Sequence, residues 1–199
     1  MRQENIILAS SSPRRRELLT QVGIPFTVMV SDAEEVTDAS DPATLCLENA
    51  RRKAEDIFLK LKTEEFANEN AAYSVIGADT AVFCDGRIFG KPVDAEEAAQ
   101  MLRALSGKTH QVYTGVCVLR RGTEDQEHSF VECTDVHVAV LSENEIADYI
   151  ASGEPFDKAG AYAIQGRFAR YITGISGDYG NIVGLPVGRL YRECFSSGS

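Results

Sequence analysis

Ile6-Ile7-Leu8-Ala9-Ser10-Ser11-Ser12-Pro13-Arg14-Arg15-Arg16-Glu17-Leu18-Leu19 decides how this chain is read. Its apolar start, Ile6 to Ala9, predicts a short buried strand. Three serines follow, and Pro13 suits the first position of a helix for which Ser12 is a good N-cap. Gly23 and Pro25 mark the end of that helix. The odd feature is the charge. Arg14, Arg15 and Arg16 fall in the first turn, where the helix dipole is already positive and each basic residue costs about 0.3–1 kcal/mol. An anion docked on the helix N-terminus reverses that sign, because N–H groups, serine hydroxyls and guanidinium forks then converge on one phosphate chain. The plainer alternative is a solvated basic turn whose long stems cover apolar surface. This stretch alone leaves both open.

Composition narrows the setting. With 199 residues, 44% hydrophobic and 25% charged, the chain is long enough for one domain with a substantial core, and two small lobes remain open. No apolar run approaches the roughly 18 residues of a membrane span. The acid-bearing N-terminus, Met1 to Asn5, does not read as a signal peptide, so the expectation is a cytoplasmic protein with no membrane partner. A net charge of −10 argues against a nucleic-acid partner, which needs a basic face. The five cysteines are scattered without a C-x-x-C pair, and the three histidines lack ligand spacing. A metal acting here must be held by carboxylates.

Along the chain, Phe26 to Val30 alternates as a strand and leads into Asp32, Glu34 and Glu35, either a solvated turn or a site cluster at a strand end. Asp41-Pro42 opens a helix running to about Leu61, with Cys46, Ala50, Ala54, Ile57 and Leu61 as its apolar stripe. Lys53 lies along that stripe, where a lysine either snorkels to water or meets an anion. Residues 62 to 72 read as a surface connection. Tyr73 to Cys84 predicts a strand interrupted at its centre, and Asp85-Gly86 a tight hairpin turn back into Arg87-Ile88-Phe89. Asp79 is the anomaly of that strand: a buried carboxylate costs several kcal/mol unless it is paired or bound to a cation. Gly77 and Ala78 before it are small enough to let a ligand approach the backbone.

Asp94 with Glu97, and Ser142 with Glu145, predict capping boxes on two further helices, ending near Gly107 and Gly153. Gln111 to Leu119 and Phe130 to Leu141 read as strands joined by an exposed loop, Arg120 to Ser129. The last third reads as glycine-rich loop, a strand from Phe168 to Ile175, a turn over Ser176 to Asn181, and a short closing helix. There is no G-x-x-x-x-G-K-[ST] phosphate loop and no G-x-S-x-G nucleophile elbow. What remains is a set of cations, Arg14, Arg15, Lys53 and Lys91, and of carboxylates, Glu34, Glu35 and Asp79. That inventory suits metal-assisted attack of water on a phosphoryl group.

Seven motifs in order resemble the Maf family of nucleoside triphosphate pyrophosphatases over nearly the whole chain. They are Ala9-Ser10-Ser11-Ser12-Pro13-Arg14-Arg15, Asn49-Ala50-Arg51-Arg52-Lys53-Ala54, Gly77-Ala78-Asp79-Thr80, Gly90-Lys91-Pro92, Leu105-Ser106-Gly107, Asp157 to Tyr162 with Ile164-Gln165-Gly166, and Gly184-Leu185-Pro186. The resemblance implies an α/β fold: a mixed, strongly bent sheet with flanking helices around a central cleft, similar to the inosine triphosphatases. It implies hydrolysis of a nucleoside triphosphate to the monophosphate and pyrophosphate with Mg²⁺ or Mn²⁺, and a homodimer. Carried over by motif, Asp79 is the proton acceptor, Lys53, Lys91 and Glu35 act beside it, and Glu35 and Asp79 are the metal ligands, with Glu34 as second choice. Ser10 and Arg15 match phosphate-cleft positions. Arg14, Thr80 and Gln165 match the branch preferring dTTP, UTP and modified pyrimidine nucleotides. The resemblance leaves one alternative: a nucleotide-sensing regulator of septum formation and cell division without turnover.

Overall fold

The computed structural model describes residues 5–37, 39–63, 72–122 and 124–196. The expected surface connection over 62–72 lies largely outside these. Strand β1 (Asn5–Leu8) buries its three apolar residues and pairs in parallel with β2 (Thr27–Val28) on one side and β3 (Tyr73–Cys84) on the other. β3 then pairs antiparallel with β5 (Thr109–Arg121), β5 with β6 (Gln126–Val138), and β6 with β7 (Ile172–Ser176), while β4 (Arg87–Phe89) folds back on the end of β3. The sheet is therefore mixed, with the order β2-β1-β3-β5-β6-β7 and seven strands among the described residues.

Side-chain alternation divides the core between two faces. On one, α2 (Pro42–Thr63) lays Ala50, Ala54, Ile57 and Leu61 over Ile7, Val75 and Cys117. On the other, Leu18 and Leu19 of α1 (Pro13–Gln21) meet Leu8, Ile76, Ala78 and Val116, together with Val183 and Leu190 from α5 (Tyr179–Val183) and α6 (Val187–Leu190). A second body of core, under α3 (Ala95–Leu105) and α4 (Glu143–Ala151), packs Leu102 and Leu105 with the aromatic set Tyr149, Tyr162, Phe168 and Tyr171. No helix among the described residues is long and apolar enough to cross a membrane.

Several expectations are corrected. β3 is continuous through Gly77. The space that glycine leaves is taken by α2 rather than by a ligand: a Cβ at Gly77 would stand 2.1 Å from the Ala50 carbonyl oxygen, and one at Gly115 2.4 Å from that of Cys46. β5 and β6 reach Arg121 and Gln126, so the hairpin loop is much shorter than Arg120 to Ser129. Of the strand expected over Phe26 to Val30, only Thr27–Val28 pairs. Arg167–Tyr171 coils as a 3₁₀ turn that buries Phe168 and Tyr171, and β7 begins only at Ile172. The expected turn over Ser176 to Asn181 contains the start of α5, capped by the Asp178 carboxylate on the Asn181 N–H. Ser142 and Glu145 form a full capping box, whereas Glu97 accepts from the Val93 N–H rather than from Asp94. Asp85 and Gly86 take φ of 49° and 77°, the left-handed pair that a tight hairpin turn demands.

Candidate active site

β1 stops at Leu8 while β3 runs on to Cys84, so the chain leaving β1 through Ser10 to Ser12 turns beside an uncovered stretch of β3. A cleft of about 730 Å³ opens there. Ser10, Arg14, Arg15, Glu35, Lys53, Asp79, Thr80, Lys91 and Gln165 all line it, whereas Glu34 and Arg16 do not. Asp79 and Thr80 are neighbours on β3, so their side chains leave opposite faces of the sheet. The cleft wraps the strand and uses both.

On the α2 face, Lys53 Nζ lies 2.7 Å from Asp79 Oδ1 and 2.6 Å from Glu35 Oε1. The Lys53 and Asp79 side chains are each only 15% exposed, which makes this a partly desolvated carboxylate–ammonium–carboxylate chain. The hydrogen bond from Lys53 holds the Glu35 carboxyl below the usual carboxylate range, against the opposite push of burial. Asn49, one helical turn before Lys53 on the same stripe, donates to Asp79 Oδ2 at 3.3 Å. Its amide also accepts from the Val36 N–H at 2.7 Å and donates to the Val36 oxygen at 3.1 Å, which clamps the segment carrying Glu35 to α2.

On the other face, the buried Arg15 guanidinium ties three segments together. Its Nη1 donates to Ser10 Oγ at 3.1 Å, Nη2 to Thr80 Oγ1 at 3.2 Å, and Nε to the Gly184 oxygen at 2.8 Å. Burial pulls its pKa below the ordinary arginine value, and the Asp79 charge pulls the other way. Ser12 caps α1 as expected, and Arg16 stays on the surface. At the mouth of the cleft Arg14 lies 3.5 Å from Asp157, which also pairs with Lys158. Lys158 in turn donates to the Glu154 oxygen at 2.7 Å. The Gly160 N–H donates to the Gly90 oxygen at 3.0 Å, so the loop that ends in Gln165 is fastened to the segment bearing Lys91.

Sequence reasoning assigns no role to Asn49, Asp157, Lys158, Thr114 or Asn181. Asn49 had a signal, its i−4 spacing from Lys53. Thr114 and Asn181 are fully buried polar residues whose partners come from strands and turns distant in sequence. Among the described residues, no three of His, Cys, Asp and Glu gather as a metal cluster. Glu35 and Asp79 do converge on one point, held here by the Lys53 ammonium. Two carboxylates fit a hard cation that draws its other oxygens from phosphate and water, as Mg²⁺ habitually does.

Known proteins resemble this chain in sequence over nearly its whole length. The dTTP/UTP pyrophosphatase of Lachnoclostridium phytofermentans is 50% identical over 190 residues, covering 94% of this chain and 92% of its own. That of Agathobacter rectalis is 50% identical over 194 residues, covering 94% and 95%. The solved Ham1 protein of Staphylococcus aureus aligns with 84% of this chain and 93% of its own at 15% identity and a TM-score of 0.42. The family model described as Maf-like protein matches residues 5–195, every cleft residue included, and the chain belongs to that Maf-like family.

Proposed function

We propose that this chain hydrolyses nucleoside triphosphates, dTTP, UTP and modified pyrimidine nucleotides among them, to the monophosphate and pyrophosphate. The carrying observation is that the Glu35–Lys53–Asp79 chain and the buried Arg15 guanidinium share one cleft. Relatives named for dTTP and UTP, half identical over nearly the whole chain, support the nucleotide and the reaction. Arg15, Lys53 and Lys91 set positive charge around a triphosphate. Ser10 Oγ already accepts from the Ser12 N–H at 3.2 Å and from Arg15, so its proton is left to donate to a phosphate oxygen. Asp79, oriented by Lys53 and Asn49, accepts the proton of the attacking water. The new P–O bond forms as the anhydride P–O bond breaks, and pyrophosphate leaves with its charge matched by the cleft cations.

Glu35 and Asp79 are the residues that would hold Mg²⁺ or Mn²⁺. When bound, the ion neutralises phosphate charge and favours ionisation of water. Arg14, Thr80 and Gln165 line the same cleft and are assigned to the base, a role the family resemblance supports. A homodimer and a cytoplasmic location belong to the same reading, supported by the family resemblance. The test is Asp79→Asn, which keeps shape and hydrogen bonding but removes the base. It is expected to lower kcat for pyrophosphate release from UTP by about 10²–10⁴-fold, with the unfolding midpoint near that of the unaltered chain. Full activity in Asp79→Asn contradicts the assigned role.

A further inference from the structure

Ala163, Ile164 and Gln165 line the cleft on a turn closed by a hydrogen bond from the Gly166 N–H to the Ala163 oxygen at 3.1 Å. Glu154 does not line the cleft; it stands behind both ends of that turn. Its carboxylate accepts the Arg167 N–H, at 2.9 Å on Oε2 and 3.2 Å on Oε1. The same carboxylate accepts from the hydroxyl of the fully buried Tyr149, and that hydroxyl accepts the Ala163 N–H at 3.3 Å. One charged group thus fastens the residue that opens the turn and the residue that follows it. Hydrogen bonds to a charged acceptor are about twice as strong as neutral ones.

Gly166 carries an independent mark of the same contact. Its backbone, with φ of −101°, is extended and open to residues other than glycine. Space is what requires glycine: a Cβ there would stand 2.2 Å from Glu154 Oε2. The main-chain oxygen of Glu154 takes Lys158 Nζ at 2.7 Å, a bond that a change of the Glu154 side chain does not remove. The carboxylate is therefore separable from the rest of the cleft mouth.

We propose that Glu154 is a positioning residue: its carboxylate, gripping the turn at Arg167 and, through Tyr149, at Ala163, holds the Gln165 wall of the cleft in place before substrate arrives. This rests on the reading of the cleft as a nucleoside triphosphate site. Without the grip, the substrate must itself order the turn, and affinity falls by that cost. Asp79, Lys53 and Glu35 come from β3, α2 and the segment before α2, so the chemical step keeps its groups and the loss is one of binding.

The experiment compares the unaltered chain with Glu154→Ala, Gly166→Ala, the two combined, and Glu154→Gln. Two quantities are read: pyrophosphate release from UTP, and hydrogen exchange at the Arg167 amide. Glu154→Ala is expected to raise KM by about tenfold with kcat within about twofold, and to speed that exchange by about tenfold or more. Gly166→Ala is expected to do the same, because its methyl displaces the carboxylate. In the combined variant that space is empty, so the methyl adds no further loss. Glu154→Gln keeps an oxygen for the Arg167 N–H and is expected to bring KM back to within about threefold of the unaltered chain. A fall in kcat at unchanged KM overturns the proposal. So does a Gly166→Ala loss as large without the Glu154 side chain as with it, or Arg167 exchange as slow in both single variants as in the unaltered chain. Exchange needs no substrate: an unaltered chain that releases pyrophosphate from no triphosphate removes the reading of the cleft, while unchanged exchange removes the grip alone.

Discussion

Arg15 shows how one side chain converts a local oddity into architecture. A guanidinium in the first turn of a helix is opposed by the dipole, and here it is buried as well. It persists because its planar fork donates to the end of β1, to β3 and to the oxygen of Gly184 at once. An ammonium cannot span three such acceptors. Arg15→Lys is therefore expected to lower the unfolding free energy by about 2–3 kcal/mol and to raise KM for UTP, read by urea unfolding and steady-state kinetics. A lysine variant with unchanged KM and stability contradicts this role. The arginine cluster and the lone Asp79 were legible because each violates a local rule, wrong charge at a helix start and a carboxylate among apolar neighbours. Thr114 breaks no rule. Its partner Thr80 is fixed by strand register, 34 residues away, which no local pattern reveals.

At the scale of elements, α2 and β3 carry between them the chemistry proposed for the cleft. The helix places Asn49 and Lys53 one turn apart on the side that faces Asp79, and glycines at 77 and 115 let its backbone approach the sheet. Glycine inside a strand reads as a break, which is why β3 looks interrupted in sequence. The backbone of α2, not a bend or a ligand, accounts for it. Gly77→Ala puts a methyl into the Ala50 carbonyl and must push α2 outward, taking Lys53 and Asn49 from Asp79. The expected outcome is a loss of about 2–3 kcal/mol or more, with pyrophosphate release falling alongside the thermal midpoint. An alanine variant of normal stability and activity shows that the helix is not so constrained. Helix ends were well read, since Ser12, Ser142 and Asp94 all accept the N–H bonds expected of caps. Strand ends were not: the β5–β6 pair extends to Arg120 and Gln126 by backbone pairing that polar side chains do not advertise.

Across the whole molecule, the sheet gathers residues from position 10 to position 184 around one notch, and it does so over a core that holds a buried histidine. His110 is fully buried, bonded at 2.8 Å to the Tyr162 hydroxyl, and burial lowers its pKa to about 4. The unfolded chain binds a proton near pH 6.5 and the folded chain does not. Stability is thus intact above about pH 6.5, falls as pH drops toward about 4, and loses on the order of 3 kcal/mol across that window. Urea midpoints at about pH 7 and about pH 4.5 should differ less in His110→Gln than in the unaltered chain; an identical pH slope in both contradicts the assignment. The overall architecture was legible as alternating strands and capped helices, whereas the cleft became visible only when distant segments were placed together. The central claim is that this cleft splits a nucleoside triphosphate at the anhydride that yields pyrophosphate. Phosphorus NMR of UTP incubated with the chain and Mg²⁺ tests it most directly: UMP and pyrophosphate rising together are predicted, and UDP with orthophosphate would contradict it.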